Sequence, residues 1–112
     1  MKNFMLIFIN GERSAKFSPE EMQSNMQQWF GWIDSLKANG IYVSGEALLP
    51  GGKTVKGAEA IVTDGPFAES KEVVGGYFIV TAESLEAAAE IGKNSPDLPH
   101  GAVVEVREVM KF

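Results

Sequence analysis

The densest set of groups able to act on a small molecule lies in the block Asp64-Gly65-Pro66-Phe67-Ala68-Glu69-Ser70-Lys71-Glu72-Val73-Val74-Gly75-Gly76. Glu69, Lys71 and Glu72 set two acids around one base within four residues. In that pattern a carboxylate can serve as a base and the ammonium can hold an anionic group, while Gly75 and Gly76 leave backbone amides open to a ligand. The same charges equally describe a solvated ion-pair cluster on a surface loop. Asp64 ahead of Gly65-Pro66 suits an Asx-turn, its carboxylate accepting backbone N–H groups, with Pro66 fixing φ and Phe67 folding back onto a core. Long irregular connections in compact domains tend to be functional. Asp64, Gly65, Pro66, Phe67, Glu69, Lys71, Glu72, Gly75 and Gly76 are therefore candidate ligand-lining residues. Glu46 and Arg107 join them as walls of the same pocket, Arg107 being suited to anchor an anion because a guanidinium offers a fixed fork of donors. If Arg107 instead pairs with Glu46 or Glu105, the cavity closes. No residue is assigned a catalytic role.

Other chemistry is thinly represented. Gly51-Gly52-Lys53-Thr54 resembles the end of a phosphate-binding loop but lacks the earlier glycine and the strand-to-helix setting, so it reads as a turn. The chain has no cysteine, which removes disulfides, zinc ribbons, iron–sulfur clusters and thiol catalysis. Its one histidine, His100, sits between Pro99 and Gly101 and reads as an exposed loop imidazole, so no metal site is expected and no cofactor is implied. The formal charge of −5 argues against a nucleic-acid partner, which would call for a basic patch. Phe4 to Ile9 is apolar for six residues only, too few for a signal core or a membrane span. The default expectation is a cytoplasmic protein that does not meet a membrane.

These groups must be held by the elements around them. At 112 residues the chain suits one domain, 1–112. Lys2–Ile9 alternates Phe4, Leu6 and Phe8 against Met5, Ile7 and Ile9, which predicts a central strand covered on both faces. Ser18-Pro19-Glu20-Glu21 opens a helix with a capping box, and Asn39-Gly40 ends it. Met22, Met26, Trp29, Ile33 and Leu36 form its apolar stripe. Trp32 lies off that stripe, either widening the core face or touching a partner or ligand. Ile41–Leu48 predicts a second strand, with Gly45 as a bulge or a point of close approach. A small hairpin around Gly57 follows, and then Tyr77–Val80, again apolar on both faces. Ser84 caps a second helix that stops near Asn94-Ser95-Pro96, and Val103–Val109 is the last strand.

Strand, helix, strand, strand, helix, strand, with a hairpin inserted before the third main strand, predicts a ferredoxin-like α+β fold with both helices on one face. The other sheet face would be bare and apolar, which a soluble monomer rarely tolerates. A homodimer packed sheet on sheet, a dimeric α+β barrel, is the simplest cover.

The Asp64–Gly76 block resembles the signature of the DGPF-domain family within the YCII-related proteins. The resemblance rests on Asp64-Gly65-Pro66-Phe67, on Glu69-Ser70-Lys71-Glu72 and on the Gly75-Gly76-Tyr77 strand start. It extends to the Met1-Lys2 start with its apolar run and to Val104-Glu105-Val106-Arg107. It implies a ferredoxin-like domain forming dimeric α+β barrels, with no established activity. Some related YCII proteins are thought to use a His–Asp pair; here no histidine flanks the first helix, so that pair is not carried over and enzymatic activity is left open. Some DGPF-domain proteins are associated with extracytoplasmic-function sigma factors. The resulting expectation is a small-molecule-binding or weakly enzymatic protein. The alternative is a non-catalytic regulatory or interaction module with a protein partner, linked to sigma-factor-dependent transcription.

Overall fold

Alternation decides how the first strand sits. In the computed structural model, which describes residues 1–10, 17–65 and 73–112, β1 (Lys2–Ile9) buries Phe4, Leu6 and Phe8 on one side. Met5, Ile7 and Ile9 face the other side, half-buried. β1 pairs antiparallel with β5 (Val74–Ala82) and with β6 (Val103–Glu108). β2 (Tyr42–Ala47) adds to the outer edge of β5, giving the order β2-β5-β1-β6. α1 (Pro19–Ala38) joins β1 to β2, and α2 (Leu85–Gly92) joins β5 to β6. This is the expected ferredoxin-like α+β arrangement. The inserted hairpin, β3 (Lys53–Lys56) and β4 (Ile61–Asp64), forms a two-stranded sheet of its own.

Local chemistry sets the helix ends where the sequence places them. The Ser18 hydroxyl accepts from the Glu21 N–H at 3.2 Å, and the Glu21 carboxylate accepts from the Ser18 N–H at 3.2 Å. The Ser18 backbone bond, then the bond to its side chain, holds the Glu21 carboxyl below its ordinary range. Gly40, at φ 70°, turns the chain out of α1 through the left-handed region. Ser84 caps α2, its hydroxyl accepting from Ala87 N–H at 3.1 Å, and the fully buried Ala88 lets that helix lie close on the sheet.

The stripe along α1 is covered unevenly. Leu36 is buried and Trp29 and Ile33 pack partly against the core, but Met22 and Met26 remain 55% and 54% exposed. Twenty helical residues span about 30 Å and the six of β2 about 20 Å, so the first turns of α1 overhang the strand it packs on. Trp32 belongs to the core, its ring 5.9 Å from Phe8, 5.5 Å from Trp29 and 5.4 Å from Phe78.

On the opposite face Met5, Ile7, Tyr77 and Ile79 form an apolar band, and among the described residues the two helices give it no second layer. The molecule measures 44 × 43 × 19 Å, the short axis being one sheet and one helix thick. Its accessible surface is 8079 Å², where a monomeric globular protein of this mass exposes roughly 6,000 Å². Among the described residues no helix is long and apolar enough to cross a membrane.

Candidate functional site

Two adjacent strands carry glycines at points where a neighbour comes close. In the register of the sheet Gly76 stands opposite Phe8 and Gly45 opposite Phe78, so both glycines lie in the row that faces the helices. Neither can be larger. A Cβ on Gly45 would come within 2.5 Å of the Phe78 ring and 2.8 Å of the Tyr77 carbonyl. A Cβ on Gly76 would come within 2.6 Å of the Glu46 carbonyl. Against these strands lies a cavity of about 360 Å³, lined by residues of α1 and of β1, β2, β5 and β6.

Its floor and walls are largely aromatic: Phe8, Trp29, Phe30, Tyr42 and Phe78 all line it. Phe8 and Phe78 meet edge to face at 4.8 Å, and Phe8 and Trp29 at 4.9 Å, so these walls are stiff. The polar lining residues are few, and Glu46, opposite Tyr77 in the register, turns its side chain to the other sheet face. Asn10, Glu46, Ser95 and Asp97 line the cavity with Gly75 and Gly76. At its mouth the Asn10 N–H donates to the Val73 carbonyl at 2.9 Å, and the Leu48 N–H donates to the Gly75 carbonyl at 2.9 Å. Asp97 is held from two directions. Its carboxylate accepts from Asn25 Nδ2 of α1 at 2.6 Å, while its main-chain carbonyl accepts from the His100 N–H at 2.9 Å and the Ala102 N–H at 3.2 Å.

The residues singled out from sequence are dispersed. Glu46, Gly75 and Gly76 line the cavity. Asp64 and Gly65 end the hairpin: the Asp64 carboxylate pairs with Lys53, and the Gly65 N–H donates to the Gly52 carbonyl at 3.1 Å. Pro66, Phe67, Glu69, Lys71 and Glu72 lie outside the described residues. Arg107 falls, as alternation requires, on the sheet face away from the helices, but it is not a lining residue of this cavity. Its guanidinium is 3.6 Å from Glu105 of the same strand. Glu46 and Arg107 belong to opposite edge strands, about 14 Å apart across the sheet, too far for the two to pair within one chain.

Several lining residues had no functional reading in the sequence. Trp29 reads there as part of the first helix's apolar stripe, Tyr42 only as part of the second strand, and Ser95 as part of a helix stop. The polar cluster Asn94-Ser95-Pro96-Asp97 was the available signal, and it is indistinguishable from an ordinary helix terminus without the contact to Asn25. Among the described residues no group of three or more His, Cys, Asp or Glu side chains is placed to hold a metal ion.

Compared with known protein families, residues 3–112 match the YCII-related domain. The comparison with curated proteins gives no match. Among solved structures, the chain is similar to 5-chloro-2-hydroxyhydroquinone dehydrochlorinase (TftG) from Burkholderia phenoliruptrix AC1100, in its complex with 2,5-dihydroxybenzoquinone. The TM-score is 0.48 at 18% identity, covering 98% of this chain and 95% of that one. It is also similar to At3g17210 from Arabidopsis thaliana, with a TM-score of 0.40 at 14% identity, covering 100% of this chain and 96% of the other.

Proposed function

Since the chain belongs to the YCII-related domain family, matched over residues 3–112, we propose that it is a cytoplasmic, small-molecule-binding or weakly enzymatic protein that works as a homodimer. The observation that carries the ligand-binding half is the cavity: about 360 Å³, aromatic-walled, with a few polar residues in its lining. That is the size and make-up of a site for a compact organic ligand. A metabolite library screened by thermal shift tests it, because a ligand that prefers the native state raises the melting temperature by mass action. At least one compound is expected to do so. Ala47→Trp, which places an indole on an exposed lining position, is expected to abolish the shift without lowering the melting temperature of the free protein. A shift that survives Ala47→Trp would place binding elsewhere.

The homodimer rests on the uncovered sheet face. Met5, Ile7, Tyr77 and Ile79 form one contiguous apolar band of the kind a stable interface covers, which removes about 800 Å² of each partner from water. The hairpin adds to it, since Val55 and Val62 are cross-strand partners, 63% and 58% exposed. A two-stranded hairpin alone is marginal in water and gains from a partner surface. Ile79→Arg sets a charge at the centre of the band. Analytical ultracentrifugation at micromolar protein should read a dimer for the parent chain and a species of about half that mass for the variant. A monomeric parent chain would remove the proposal.

The regulatory alternative draws on the exposed apolar side of α1, where Met22, Met26 and Phe30 are each more than half exposed. Met26 and Phe30 line the cavity, which accounts for two of the three without a protein partner.

A further inference from the structure

The lining of the cavity divides into groups a ligand can reach and groups it cannot. The Ser95 Oγ is sealed from solvent. The Asp97 carboxylate is bonded to Asn25, and the Glu46 side chain turns to the other sheet face. The Asn10 amide stands over Gly75, whose neighbour Gly76 is the one facing the helices. Among the described residues no Lys, Arg or His lines the cavity. Most of what remains open is apolar and ring-bearing, and with Met26 and Phe30, both more than half exposed, that lining continues out to the mouth.

The fold places one hydroxyl among these rings. Tyr42 stands opposite the fully buried Val80 and Gly45 opposite Phe78, so both belong to the helix-facing row of β2. The Tyr42 hydroxyl reaches along the strand to the place a side chain on Gly45 would fill, 2.8 Å from where its Cβ would stand. Phe78, edge-on at 5.3 Å, and Lys37 Nζ, 5.4 Å from the ring centre, hold the phenol there. Tyr42 and Gly45 both line the cavity. The hydroxyl has no hydrogen-bond partner among the described residues, and unlike the Ser95 Oγ it is not sealed. It can both donate and accept.

Size and charge narrow the occupant further. A dry apolar cavity of about 150 Å³ holds one benzene ring, so the space here takes two fused rings. A carboxylate or phosphate would leave water with no cation of the described lining to meet it. Resting on the small-molecule reading above, we propose that the cavity binds an uncharged bicyclic aromatic compound with one hydrogen-bonding substituent. Its rings lie against Phe8, Trp29 and Phe78, and its polar group meets the Tyr42 hydroxyl.

Three probes with the same two rings separate these contributions: 2-naphthol, naphthalene and 2-naphthoate. Titrations followed by the Trp29 indole signal in ¹H–¹⁵N spectra report binding at the site, since Trp29 lines the cavity. At neutral pH 2-naphthol is expected to saturate, and 2-naphthoate to bind at least about ten-fold more weakly. Tyr42→Phe removes one oxygen and keeps the ring that packs on Phe78. It should weaken 2-naphthol about five-fold, one neutral hydrogen bond's worth, and leave naphthalene unchanged. The melting temperature of the free protein should stay as it is.

A carboxylate that binds as tightly as 2-naphthol overturns the proposal, as does a 2-naphthol affinity that Tyr42→Phe leaves intact. If naphthalene weakens by the same factor, or the free variant melts lower, the hydroxyl serves the fold and its assignment to the ligand fails. If neither 2-naphthol nor naphthalene moves the Trp29 signal, the proposal fails. A library compound that raises the melting temperature, and loses that effect in Ala47→Trp, would then leave the broader small-molecule reading standing.

Discussion

Phe78→Ala lowers stability by about 3–5 kcal/mol, the cost of deleting a buried ring whose surroundings cannot collapse into the space. The melting temperature falls with it, by roughly 10–20 °C for a chain of this size. Phe78 is 7% exposed, with Phe8, Trp29, Trp32 and Tyr42 centred 4.8, 5.8, 5.4 and 5.3 Å from its ring. Removing it unties the cluster that joins α1 to β1, β2 and β5 and merges the vacated volume with the cavity. Phe78→Leu retains most of the apolar volume and should cost less than half as much. Denaturant unfolding of all three chains, at one fixed protomer concentration because a dimer's stability depends on it, checks the ranking. A loss below about 1 kcal/mol for Phe78→Ala would mean that the aromatic cluster is not packed as described.

Gly76→Ala is the second large effect, and its cause is backbone rather than side chain. The added methyl would stand 2.6 Å from the Glu46 carbonyl and 3.2 Å from Ala47 Cα, both main-chain atoms of the neighbouring strand. No rotamer change relieves such a contact, so β2 must separate from β5. The expected loss is about 2–3 kcal/mol, in the range for overpacked interiors. Hydrogen exchange gives the site-specific check: amides of β2 should lose protection while those shared by β1 and β6 keep theirs. Gly75→Ala is the contrast. Its methyl would meet the side chain of Asn10 at 2.3 Å, which is exposed and can swing aside, so a much smaller loss is expected. Equal losses at the two positions would contradict the backbone account.

Much of this fold is legible because its determinants are local. The alternation Phe4–Ile9 assigns each side chain to a face whatever the rest of the chain does, since the period of a strand is two. Ser18 with Glu21, Ser84, and Asn39-Gly40 mark helix ends through bonds that span three or four residues. Gly45 reads as a bulge or a point of close approach because an isolated glycine in a strand has few other uses, and the Phe78 ring lies over it. The bare sheet face follows from the element order alone: two helices cannot cover both faces of a four-stranded sheet.

The site depends on relations that no local pattern carries. Strand order sets Glu46 and Arg107 on opposite edges of the sheet. Register, shifted at Phe8/Ile9 and at Tyr42/Ser44, brings Gly45 and Gly76 into the same helix-facing row. The overhang of α1 leaves Met26 and Phe30 over a gap rather than in a core. Asn25 and Asp97, 72 positions apart, meet at 2.6 Å only because α1 and the turn before β6 pack at the same end of the sheet. Periods of two and 3.6 residues say which way a side chain points from its own element. Which side chains converge is decided by how strands are ordered, registered and crossed by helices, and those relations exist only once the chain has folded.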